Sequence, residues 1–257
     1  TILFMAGYGN TWSNGKSVYM QLKQDADGHA LDPADPDNWT VPTPIYRNDA
    51  SLLNGNKQLA ATASGGVGMS LDMTYFQDAD GRSYYAWQQL GATYIATMDP
   101  KDPAHVTSSP VRIVTPEYAW NAAIAEGPNV TLRDGKLYLM FSGSGVGKTY
   151  TTGLAVADAS GTDLTDPASW TVLNYPIQKS GPFNGEMQLG TGHGMWSEDE
   201  DGNQIYVFHA YATKNLGSVN AAGRDMFVRR VHWAADGMPV FDMSSSEELA
   251  SKTVSVT

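Results

Sequence analysis

The sequence predicts an all-β protein assembled from repeated antiparallel sheets, and three observations carry that reading. Aromatic and turn-forming residues are abundant together, with 7 Trp, 13 Tyr and 7 Phe standing among 26 Gly and 13 Pro, the composition of short strands joined by tight turns. Apolar residues at helical spacing are hard to find, whereas β-rich runs such as Leu137 to Phe141, Ile205 to Phe208 and Met226 to Val231 recur between Gly, Pro and Asp clusters. Finally, one strand-turn-strand pattern occurs three times, the signature of a repeat architecture.

The first copy runs from Asp72 to Asp80-Gly81 and continues into Tyr84, Tyr85 and Trp87. The second runs from Glu126 to Asp134-Gly135 and continues into Tyr138 and Phe141, and the third from His193 to Asp201-Gly202 and into Tyr206 and Phe208. Asp-Gly suits a two-residue hairpin turn because both central positions need positive φ. A second signature accompanies the hairpins: Asp35-Pro-Asp-Asn-Trp39, Asp102-Pro-Ala-His-Val106 and Asp166-Pro-Ala-Ser-Trp170. The unit is therefore about 65 residues, enough for a four-stranded sheet with generous loops, and such sheets arranged radially form a β-propeller.

Composition narrows the function. With 257 residues, 42% of them hydrophobic, the chain is long enough to bury a sizeable core. A formal net charge of −11 repels phosphate backbones and anionic lipid, so neither nucleic acid nor membrane is expected as a partner. The absence of cysteine removes disulfides, thiolate metal sites and cysteine nucleophiles together. No run reaches the roughly 18 apolar residues of a membrane span.

Asp72, Glu126 and His193 each stand nine positions before a turn glycine. If the first strand of each sheet lines the central channel, the three side chains ring one point, and two carboxyls with an imidazole make a candidate active site. Singly, each has a bland explanation as a cap or a hydrogen-bonded core group. Their shared register, with unlike chemistry in repeated surroundings, favours function. Gly192 and Gly194 around His193 suggest close backbone approach. Tyr118, Trp120 and Trp196 could offer flat faces to a sugar or pack between sheets.

These residues together resemble glycoside hydrolase family 43. The resemblance rests on Leu71-Asp72-Met-Thr-Tyr-Phe76, Glu126-Gly-Pro128 with Tyr138-Leu-Met-Phe-Ser-Gly143, and Gly192-His-Gly194 with Tyr206-Val-Phe-His209. Gly223-Arg224 leading to Val231-His-Trp233 is similar to the family's closing segment. It implies a five-bladed propeller acting on arabinose- or xylose-containing plant polysaccharides by inversion, as an arabinofuranosidase or xylosidase. It further implies Glu126 as general acid, Asp72 as the carboxylate that raises the acid's pKa, Arg224 as a substrate contact, and His193 beside substrate or an axial calcium ion; Trp120, near the ring in sequence, is expected to contact substrate as well. A non-catalytic carbohydrate-binding propeller is the alternative.

The opening residues Ile2 to Gly7 resemble Tyr138 to Gly143, a second strand rather than a first. Residues 1–243 are accordingly expected to supply the rest of blade two and blades three to five, about three and a half blades. Residues 244–257 are read as a linker or the start of another domain, with strand-like alternation at Thr253 to Thr257. The general base is expected upstream of Thr1, from a missing N-terminal segment or a neighbouring chain, and an extracellular or cell-surface location is expected. Ser142 to Thr149 only superficially resembles a phosphate-binding loop, because Ser142 occupies the place of its first glycine and strand follows where a helix should start. Asp78-Ala-Asp80-Gly81 and Asp199-Glu-Asp201-Gly202 lack the spaced ligands of a calcium loop and read as turns.

Overall fold

The computed structural model describes residues 2–7, 16–51, 53, 70–212 and 223–248; Thr253 to Thr257 lie outside them. Sheet one contains β1 (Ile2–Gly7), β2 (Lys16–Gln21) and β3 (Thr43–Pro44). Sheet two orders β4 (Ser70–Gln77), β5 (Ser83–Gln89), β6 (Ala92–Asp99) and β7 (Asp102–Val106), with β8 (Val111–Val114) also on β6. Sheet three orders β9 (Ala125–Arg133), β10 (Lys136–Gly143), β11 (Thr151–Asp158) and β12 (Thr171–Val172). Sheet four contains β13 (Gly181–Phe183), β14 (Glu186–Glu198), β15 (Gln204–Tyr211) and β16 (Asp225–Arg230), and a short pair follows, β17 (His232–Trp233) with β18 (Pro239–Val240).

All pairings between these strands are antiparallel. The first strands of successive blades, β4, β9 and β14, pack side by side, which is the inner-strand arrangement of a β-propeller, here of about three and a half blades. Strands β1 and β2 pair antiparallel, as β10 and β11 do. Between sheets two and three, Phe76, Tyr84, Ile95, Leu137, Leu139, Phe141 and Trp170 form one core cluster; Met140, Tyr206, Phe208 and Phe241 form another at sheet four. Burial of such aromatics stabilises by roughly 1.5–3 kcal/mol each, which takes the place of disulfides in this cysteine-free chain.

The repeat is less uniform than the sequence implies. Only Asp134-Gly135 makes the expected two-residue turn, with φ of 47° and 75°. The first and third hairpins instead close through five residues, Asp78–Arg82 and Asp199–Asn203. Their leading aspartates bind the loop from inside: Asp78 Oδ1 accepts from the N–H groups of Asp80 and Arg82, and Asp199 Oδ1 from those of Asp201 and Asn203. Aspartate favours this because its short side chain mimics a backbone turn. The Asp-Pro signature also splits. Asp35 and Asp166 each cap a short 3₁₀ turn, and Trp39 and Trp170 donate to carbonyls six residues earlier. Asp102, with no Trp after it, begins strand β7 and pairs with His105. No helix follows Ser142–Thr149; β11 does.

Candidate active site

All three inner strands bulge at the same level. Leu71 pairs with Gln88 and Thr74 with Ala86; Glu126 pairs with Ser142 and Asn129 with Met140; Gly192 pairs with His209 and Met195 with Val207. Three steps along the inner strand thus span two on its neighbour, the definition of a bulge. The residue just inside each bulge has positive φ: Asp72 at 55°, Gly127 at 60° and His193 at 50°. Counting back from the turn glycines had aligned Glu126 with Asp72 and His193. The backbone aligns Gly127 with them instead, because the second hairpin trades a longer paired arm for a shorter turn. Asp72 and His193 hold a conformation that non-glycine residues rarely adopt, and such strain is characteristic of functional sites.

The side chains nonetheless meet. The Gly127 N–H donates to Asp72 Oδ2 at 3.0 Å, and Asp72 Oδ1 lies 3.6 Å from His193 Nε2. The Tyr150 hydroxyl, from the residue just before β11, donates to Glu126 Oε1 at 2.6 Å and lies 3.1 Å from His193 Nδ1. The Ser142 hydroxyl accepts from the His193 N–H at 2.6 Å. The glycines are required sterically. A Cβ on Gly127 would stand 3.3 Å from the His193 ring, one on Gly192 would stand 2.5 Å from Tyr150, and one on Gly194 would collide with Tyr206.

The Glu126 carboxyl is held above its ordinary pKa. Burial is the largest cause, since it disfavours the charged form, and the charge of Asp72 adds to it. Tyr150, His193 and Arg224 oppose the shift. Its proton is therefore favoured mainly by the dry setting, and the carboxylate pairing that the sequence emphasised is secondary.

Arg224 contacts His209, with Nη1 2.8 Å from Nε2. His209 stacks on Tyr150 and on His193. Its pKa falls to about 3, through burial first and then the charge of Arg224, so the ring is neutral and accepts from the guanidinium. A cavity of about 520 Å³ opens here, lined by His193, Met195, His209, Arg224 and Met226 among others.

Trp120 is placed elsewhere. Its indole N–H donates to the Asn174 carbonyl, its ring stacks on Tyr118 and Phe141, and it lines a second cavity of about 420 Å³ with Lys148 and Lys179. Trp196 packs against Trp233 and Phe241 between sheets. Tyr150 and His209 were not marked as site residues by the sequence. Tyr150 follows a glycine-rich loop with nothing local to distinguish it. For His209 a signal existed, because Tyr206 and Phe208 alternate into the core and leave Val207 and His209 on the other face.

A calcium ion takes six to eight oxygen ligands. Both His193 ring nitrogens face protein groups, Tyr150 on one side and Asp72 on the other, so the described residues do not fit direct coordination of such an ion by His193. Among the described residues, Asp25, Asp27 and His29 do cluster, but in an exposed turn where Asp25 Oδ1 accepts from the N–H groups of the other two.

The fold and this cluster define a partial β-propeller whose inner strands converge on a half-buried carboxyl with a raised pKa. The chain belongs to glycosyl hydrolases family 43, whose model matches residues 55–239. It is 32% identical over 185 residues to an extracellular exo-alpha-(1→5)-L-arabinofuranosidase of Streptomyces avermitilis, covering 67% of this chain and 37% of that protein. It is likewise 32% identical over 186 residues to alpha-L-arabinofuranosidase 43 of Humicola insolens, covering 67% and 37%. The chain thus spans little more than a third of the length of these relatives. The crystal structure of an alpha-L-arabinofuranosidase from Lactobacillus brevis shares the fold, with a TM-score of 0.67 at 24% identity, over 93% of this chain and 75% of that one.

Proposed function

We propose that the chain is the greater part of a propeller glycosidase that cleaves arabinose- or xylose-containing plant polysaccharides or oligosaccharides. The observation that carries this reading is the half-buried Glu126 carboxyl, with its pKa raised, hydrogen-bonded to Tyr150 and set beside Asp72. A neutral carboxylic acid is what a leaving glycosidic oxygen needs, and Asp72 reinforces that state while anchored by the Gly127 N–H. Arg224, aligned by neutral His209, contacts the sugar in the adjoining cavity; Trp120, at the second cavity, meets a different part of an extended substrate. The mechanism inverts configuration, with a general base activating a water on the sugar face opposite Glu126. The names of the relatives support arabinofuranosidase action outside the cell.

The test is hydrolysis of aryl α-L-arabinofuranosides, aryl β-xylosides and arabino-oligosaccharides by the full-length protein. Glu126→Ala should cost far more with a poor leaving group than with an activated aryl one; equal losses on both overturn the acid role. Sugar binding with no turnover by the unaltered protein would establish a carbohydrate-binding propeller instead.

A further inference from the structure

One buried hydroxyl in the cluster has no part in the roles assigned above. Tyr150 is fully buried, lies 2.6 Å from Glu126 Oε1 and 3.1 Å from His193 Nδ1, and its ring is stacked on His209. A phenol carries a single proton. Burial and the neighbouring Glu126 charge push Tyr150 well above its usual pKa, so it keeps that proton. The shorter contact, to Glu126, uses it. Toward His193 the Tyr150 oxygen can then only accept, so Nδ1 must carry the hydrogen between them; the Ser142 hydroxyl also reaches Tyr150. The other ring nitrogen of His193 faces Asp72.

With Oε1 of Glu126 engaged as an acceptor, the proton of the neutral carboxyl belongs on Oε2. We propose, on the reading of Glu126 as general acid, that Tyr150 is a positioning residue that fixes Oε2 as the proton-bearing oxygen and links Glu126 to His193 through an Nδ1–H hydrogen bond. When the Oε2–H bond breaks, the proton passes to the leaving oxygen and the electron pair stays on Glu126. The Tyr150 O–H then donates to a carboxylate, and such charge-assisted bonds are about twice as strong as neutral ones. Tyr150 therefore stabilises the state that follows proton transfer. Asp72 opposes that state, while His193 and Arg224 favour it.

The experiment is an infrared difference titration of Glu126, its band identified by its loss in Glu126→Gln, in the wild-type chain and in Tyr150→Phe, which keeps the ring and its stack on His209. Losing the donor should raise the Glu126 midpoint by roughly one to two pKa units, a tenfold to hundredfold gain in proton affinity. Site-specific 3-fluorotyrosine at position 150, a stronger donor, should lower it. Nitrogen-15 NMR should find His193 protonated at Nδ1 in the wild type. In the full-length protein Tyr150→Phe should lower kcat roughly tenfold with KM nearly unchanged, and should move the alkaline limb of the rate profile upward. An unchanged Glu126 midpoint in both Tyr150 variants, or an unprotonated His193 Nδ1, overturns the proposal. Failure of the acid reading itself would show separately, as undiminished hydrolysis of poor leaving groups by Glu126→Gln.

Discussion

Each repeated hairpin has two ends, and they use the same backbone devices to different effect. At the turn end the residues repeat, Asp-Gly each time, and in the first and third hairpins a leading aspartate, Asp78 or Asp199, binds its own loop. At the inner-strand end the bulge repeats but the residues do not: Asp72, Gly127 and His193 share one left-handed conformation with three different chemistries. Repetition of residue type marks a structural requirement; repetition of geometry with divergent residues marks the place where a fold presents chemistry.

The sharpest way to break this contrast is at Glu126. Its replacement by Gln in the full-length protein should lower kcat on poor leaving groups by roughly 10² to 10⁴, the range for general acid catalysis, with the circular dichroism spectrum unchanged. Next in size is Gly194→Ala, whose methyl must push Tyr206 out of the core. Overpacking of this kind costs about 1–3 kcal/mol, read as a fall in the urea midpoint. At the turn end the two five-residue loops should differ. Asp78 is buried and holds both Arg82 at 2.6 Å and the Tyr84 hydroxyl at 3.1 Å, so Asp78→Ala should cost roughly 1–3 kcal/mol by stranding those donors. Its counterpart Asp199 is half-buried and holds the Asn203 side chain, so Asp199→Ala should lower the thermal midpoint by less than Asp78→Ala does; an equal or larger fall there would erase the distinction between the loops.

Stability against pH sharpens the comparison further. Glu126 has a raised folded-state pKa, so the folded state binds its proton more tightly. That contribution is complete below the ordinary value of 4.5 and is lost as pH rises through the raised one. Glu126→Gln should flatten this part of a stability profile measured by urea denaturation. His209 acts in the opposite sense. Its pKa falls from 6.5 to about 3, so its contribution is present above 6.5 and is lost as pH drops toward 3. Chemical-shift titration of the His209 ring should show no protonation near pH 6.

Much of the fold was legible because alternation, Asp-Gly turns and the Asp-Pro-x-x-Trp pattern are local. Adjacent residues impose them, and Trp39 and Trp170 close the same six-residue link in two different sheets. The register at Glu126 was misread by one position, because the shorter turn of the second hairpin, only partly offset by its longer paired arm, leaves the bulge residue Gly127 one position nearer its turn glycine than Asp72 and His193 are to theirs. Asp72 and Glu126 themselves were legible from the repeat. What could not be read was the company they keep, since Tyr150 comes from just before the third strand of one blade, and His209 from the second strand of the next.

From sequence alone came the all-β class, the length of the repeat, the inner-strand positions of two carboxyls and an imidazole, and the need for glycine on either side of His193. Tertiary structure alone decided that burial outweighs the charge of Asp72 in raising the pKa of Glu126, that His209 stays neutral against Arg224, and that one buried phenol joins Glu126 to His193. The reason is physical. Strand pattern and turn chemistry are set by neighbours along the chain, whereas desolvation and hydrogen-bond partnership depend on which atoms of separate sheets are packed within a few ångströms.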